Sequence, residues 1–161
     1  MGRRLDALDV RLLSCLQQDN QQSAEQLAEA VGRSPSPAAR RVRRLREEGT
    51  IAADMSLVAD DAVGRLLFAV VHVQLERHAH NEGEAFRRRL VASDNVQLCF
   101  DISGAFDILL VVAVPDMPAF NAFADEMLSG DKAVRRYESS FVKKRLKATF
   151  ALPLTELTGL E

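Results

Sequence analysis

Leu5, Leu8, Leu12, Leu13 and Leu16 recur at intervals of three and four residues, the spacing that lines up side chains on one face of a helix. Asp6 followed by Asp9 supplies an N-cap with an acidic third residue. In SAEQLAEAVG, Ser23 and Gln26 form a capping box, Leu27, Ala28 and Val31 an apolar face and Gly32 a stop, which predicts a second helix of about eight residues. Ser34 is placed to cap a third helix, with Pro35 in its first position, Pro37 in the turn that lacks intrahelical partners, and Gly49 at its end. Along that helix Ala38, Val42 and Leu45 share one stripe; Ser36, Pro37, Arg40, Arg43 and Arg44 fall on the other side, with Arg41 and Arg46 flanking. The glycine-containing connection VGRSP has the length of a helix-turn-helix turn, and TIAADMSLV reads as a short strand that would supply a wing.

From Leu66 the period changes to two. LLFAVVHVQL puts Leu67, Ala69, Val71, Val73 and Leu75 on one face of a strand, with Phe68 and Val70 leaving the other face apolar as well. EGEAFRRRLV is helical with Phe86 and Leu90 inward, and VQLCFDIS predicts a strand with Val96, Leu98, Phe100 and Ile102 on one side. A second strand–helix–strand unit follows: FDILLVVAV, then a helix from an Asp116 cap to Gly130 with Phe120, Phe123, Ala124, Met127 and Leu128 inward, then VRRYESSFV. The fold class is α+β, an N-terminal winged helix-turn-helix followed by a C-terminal ferredoxin-like βαββαβ sandwich. The expected boundaries are 1–58 for the first domain, 59–65 for a linker, 66–147 for the second domain and 148–161 for a solvated tail. The two helices of the second domain cover one sheet face only. An apolar second face with nothing left in the chain to cover it predicts a homodimer through that domain.

Charge sharpens the reading of the third helix. Five arginines occupy the seven positions 40–46, although the chain's formal net charge is −2. Residues up to Val58 carry nine Lys/Arg against eight Asp/Glu, so any affinity for a polyanion is local to that helix. A solvated helix usually mixes signs at i,i+4, and here no glutamate interrupts the arginines before Glu47. Arginine's planar fork suits guanine edges and phosphates, and the serines at the helix start add donors. Double-stranded DNA is therefore the expected partner, through Ser34, Ser36, Pro37, Arg40, Arg41, Arg43 and Arg44. Cys15 and Cys99 sit apart in apolar stretches, which supports neither a disulfide framework nor a metal knuckle. LLFAVVHV and ILLVVAV are too short to span a bilayer and the N-terminus lacks an apolar signal core, so a cytoplasmic protein with no membrane, metal or cofactor is expected.

The Ser-Pro-x-Pro start of the third helix with its basic run, Leu and Gly, together with SGAFD between the paired strands and VPDMPAF at the last helix, resembles the leucine-responsive/asparagine-regulator (Lrp/AsnC) family of transcription factors. The similarity runs from about Leu5 to about Leu146. It implies dimers, commonly assembled four at a time into octamers, and amino-acid effectors bound between subunits. The candidate effector residues are Ser103, Gly104, Ala105, Phe106 and Asp107, with Ser139 and Ser140 on the closing strand. Ala105 departs from the acidic residue usual at its position, which removes one partner for an effector's ammonium group. The residues alone are equally compatible with a tight hairpin in which Gly104 supplies a positive φ and Asp107 bonds its own turn. Proteins of the same architecture that decarboxylate sirohaem define an alternative, for which His72, His78 and His80 are the candidate groups; a protein-only interaction module is another. His72 lies on a strand and the others in a polar connection, and surface histidines are the simpler reading.

Overall fold

A computed structural model of the chain describes residues 5–59, 62, 64–76 and 80–154. It forms two compact units, one from the residues up to Leu57 together with the chain from Lys147, the other from Val58–Leu146.

In the first unit, α1 (Ala7–Gln18), α2 (Ala24–Val31) and α3 (Pro35–Glu47) follow the capping signals. Asp6 and Asp9 form a reciprocal capping box on α1, and Ser23 and Gln26 form one on α2. Gly32 ends α2 at φ 66°, in the left-handed region that favours glycine. The core joins Leu12, Leu27, Ala28, Val31, Ala38 and Val42, with Leu8, Cys15, Leu16 and Ile51 packed at its edge. Leu45 on α3 is fully buried beside them in sequence.

The predicted wing strand is absent: residues 50–59 form no strand. A strand must satisfy its backbone against a neighbour, and this unit contains no second strand among the described residues. The segment is fixed instead by the Ile51 N–H donating to the Leu45 carbonyl and by Arg46 gripping Asp54 through two hydrogen bonds of 2.9 and 3.2 Å. Residues 148–153 are exposed, and the chain there is tethered to α1 at one point. Leu152 exchanges two hydrogen bonds with the Gln17 side chain, at 2.7 and 3.1 Å.

The second unit runs β1 (Leu67–Leu75), α4 (His80–Ala92), β2 (Val96–Asp101), β3 (Ile108–Val114), α5 (Met117–Ala124, continued by a π-helical turn Asp125–Ser129) and β4 (Val134–Phe141). The four strands form one antiparallel sheet in the order β2-β3-β1-β4. Strict alternation on β3 buries Ile108, Leu110, Val112 and Val114. They meet Ala69, Val71 and Val73 of β1, Phe86 and Leu90 of α4, and Phe120, Phe123, Ala124 and Leu128 of α5. At about 1.5–3 kcal/mol for each large aliphatic or aromatic side chain taken from water, this layer dominates the unit's stability.

β2 corrects the sequence reading. The register shifts between Val96 and Leu98, so Val96 pairs with Val112 while Leu98 pairs with Val111. A residue inserted in one strand inverts every side chain beyond it. Val96 and Cys99 pack on the core, whereas Leu98 and Phe100 turn to the open face, and the four residues predicted to share one side do not. Burial pushes the Cys99 thiol pKa up.

Candidate nucleic-acid interface and ligand hairpin

α3 carries its arginines on two different duties. Arg40 and Arg43 are exposed and make no ion pair among the described residues. Arg41 and Arg44 turn back onto α1. The Arg41 Nη1 donates to Asp6 and, at 3.0 Å, to Asp9 Oδ1; Arg44 Nη2 donates to the same Asp9 oxygen at 2.7 Å. Asp9 is 1% exposed, the one buried charged residue among those described. The angular reading that put Arg44 outward is corrected here: an arginine is long enough to leave its own meridian when a buried carboxylate lies within reach. The Arg41 hydrogen bond holds the Asp6 carboxyl below its usual pKa, and the Arg41 guanidinium is raised in return. Asp54 and Arg46 shift in the same two directions through their own hydrogen bonds.

The start of α3 is exposed. Ser34 occupies the N-cap, but its hydroxyl makes no capping bond, unlike Asp6 and Ser23. Ser34, Ser36 and Pro37 are exposed. Pro35 and Pro37 carry no N–H, so the Ser36 amide and the serine hydroxyls are the donors this end offers. Arg33 is exposed in the turn just before it, a cation the sequence reading passed over because it lies outside the helix.

In the second unit the SGAFD hairpin links β2 to β3. Gly104 takes φ 146°, and a Cβ there would meet nothing within 4 Å, so glycine is demanded by the backbone alone. Asp107 anchors the hairpin: its Oδ2 accepts from the Leu75 N–H at 2.8 Å and its own N–H donates to the Val73 carbonyl at 2.9 Å. Phe106 lies between the His72 ring, centroids 5.3 Å apart, and the Arg136 guanidinium 4.9 Å from its centroid. Arg136 also donates to Gln74 and Glu138 at 3.0 and 2.9 Å.

Two family models match the chain in this order: a winged helix-turn-helix DNA-binding model over residues 5–52, and the Lrp/AsnC ligand-binding domain over residues 68–152. The chain belongs to the Lrp/AsnC family of transcriptional regulators. The leucine-responsive regulatory protein of Escherichia coli is 35% identical over 127 residues, covering 79% of this chain and 77% of that one. The crystal structure of a Neisseria meningitidis transcriptional regulator in complex with L-Met superposes with a TM-score of 0.88 at 32% identity, covering 96% of this chain and 99% of that one. An AsnC-family regulator from Agrobacterium tumefaciens superposes with a TM-score of 0.87 at 29% identity, over 95% and 99% of the two chains.

In this Lrp/AsnC chain Ser103, Gly104, Ala105, Phe106 and Asp107 lie together on one hairpin. Ser139 and Ser140 lie elsewhere. β4 pairs them with Val71 and Val70, on opposite faces of the sheet, and Ser139 Oγ is buried with no hydrogen-bond partner among the described residues. The β4 residues that reach Phe106 are Arg136 and, through it, Glu138. Neither was singled out from the sequence, because the pairing register and not the local pattern brings them there. Of the histidines, His72 packs on Phe106, His80 opens α4 and His78 lies outside the described residues. No group of His, Cys, Asp and Glu able to hold a metal occurs among the described residues, and no helix among them is long and apolar enough to cross a membrane.

Proposed function

We propose that this Lrp/AsnC regulator reads duplex DNA through the outward face of α3, with Arg40 and Arg43 as the contacting cations and Ser34, Ser36 and Pro37 at the phosphate-facing end. The observation that carries this is the division of the arginines: Arg40 and Arg43 are exposed and make no ion pair among the described residues, on the side opposite buried Ala38, Val42 and Leu45. Arg41 and Arg44 support the helix through α1. The protein works as a cytoplasmic homodimer, or an assembly of dimers. Phe68 and Val70 of β1, Leu98 and Phe100 of β2, and Leu109 and Val111 of β3 form the open sheet face, opposite the helices, that supports the dimer. A small ligand of amino-acid size sits beside residues 103–107. The hairpin's positive-φ glycine, the Phe106 ring with Arg136 upon it, and the L-Met in the Neisseria relative's crystal support that site, and Ala105 leaves it without the usual carboxylate.

The test is a folded Arg40→Glu, Arg43→Glu double variant titrated against duplex DNA at several salt concentrations. Affinity falls, and the plot of log affinity against log salt flattens by about one unit for each lost phosphate contact. Unchanged affinity and slope would overturn the α3 assignment.

A further inference from the structure

The charge on α3 is divided by two carboxylates at the start of α1, with Asp9 shared by both paired arginines. Asp6 caps α1 and Asp9 follows three residues on, Arg41 and Arg44 stand three apart on α3, and the matched spacing lets Arg41 span both carboxylates while Arg44 closes on Asp9. Both guanidiniums converge on one oxygen, Asp9 Oδ1. A carboxylate this buried is costly unless paired, so the pairing is held firmly, and both arginine side chains are reduced to 27% exposure. α3 is thereby fixed in register against α1.

We propose that Asp9 is a positioning residue that determines which arginines of α3 meet DNA. It withdraws Arg41 and Arg44 from the phosphates and leaves Arg40 and Arg43 to make the contacts. This rests on the reading of α3 as the DNA-contacting helix. The consequence is selectivity. Phosphate contacts are blind to sequence and supply nearly all non-specific affinity. Two arginines kept on a carboxylate therefore lower affinity for random DNA. A phosphate competing for them would have to displace a carboxylate already desolvated at 2.7 and 3.0 Å.

The experiment compares the parent with Arg40→Gln, Arg44→Gln and Asp9→Asn, each shown to be folded, by titrating a short random-sequence duplex over a range of salt. The expected result is that Arg40→Gln flattens the salt slope by about one unit, that Arg44→Gln leaves it unchanged, and that Asp9→Asn steepens it by up to about one unit, as Arg44 loses its 2.7 Å partner while Arg41 keeps Asp6. A merely structural Asp9 would weaken binding without steepening the slope. If Arg44→Gln flattens the slope as much as Arg40→Gln, Arg44 touches phosphate and the inference is overturned. If neither arginine variant changes it, the α3 reading itself has failed, and the inference with it. Should Asp9→Asn fail to fold, the contrast between Arg40→Gln and Arg44→Gln still decides.

Discussion

Truncating Leu45 to alanine separates the support of α3 from its chemistry. Leu45 is fully buried, one turn past Val42 on the side opposite Arg40 and Arg43. A buried Leu→Ala change costs about 2–5 kcal/mol, and about 3 is a fair figure for a side chain this enclosed. A unit this small starts near the lower end of the usual range, about 5 kcal/mol, so about 2 remain. That leaves about one molecule in thirty with the unit open at 25 °C, given an RT of about 0.59 kcal/mol. Apparent DNA affinity then falls by only a few per cent, while the protection of the α3 amides against hydrogen exchange falls about 150-fold, the equivalent of that 3 kcal/mol. Duplex at a hundredfold excess over its Kd restores roughly 2.7 kcal/mol of it. The assay is hydrogen exchange read by mass spectrometry on α3 peptides, with and without DNA, beside a direct titration. Protection reduced less than tenfold would show that Leu45 does not carry the packing. A large loss of affinity in a variant whose α3 stays protected would show that the apolar stripe is not merely support.

Two other outcomes follow from the geometry. Gly104→Ala destabilises the second unit by about 1–3 kcal/mol through the backbone alone, since φ is 146° and the added Cβ has open space; an unchanged urea midpoint would contradict this. The Asp6 carboxyl is held below its ordinary value of 3.8 by the Arg41 hydrogen bond. Because the folded-state pKa is the lower one, the unfolded chain binds the extra proton first. The pair's contribution is therefore complete above the ordinary value and lost as pH falls through the lowered one. Asp6→Asn should flatten that acid limb of stability, measured by urea unfolding from pH 6 down to pH 3, and leave the neutral end of the curve its shape.

The local signals were readable where a residue's neighbours in sequence are also its neighbours in space. Asp6, Ser23 and Asp116 cap their helices through the side chain, and the alternation on β1 and β3 marks the buried face. The readings that changed depended on partners far along the chain. Ser34 looked like a side-chain cap and makes no capping bond. TIAADMSLV has strand composition but no strand to pair with. Leu98 and Phe100 changed face because of one register shift against β3, which no pattern within β2 records. Arg44 turned inward because Asp9, 35 positions earlier, is buried beside it. The division of α3 into exposed arginines and arginines held by α1 is tertiary, although Arg40, Arg43 and Arg44 share one side of a helical wheel.

The central claim is that this protein recognises a DNA sequence as a two-fold assembly through α3. The most direct measurement is to incubate the purified protein with sheared genomic DNA, recover the bound fragments and sequence them. The account predicts a recurrent inverted repeat whose half-sites lie about one helical turn, or a multiple of it, apart, and which disappears from the recovered pool when Arg40 and Arg43 are reversed to glutamate. Recovery of fragments with no shared sequence, or the same repeat from the doubly reversed protein, would contradict it.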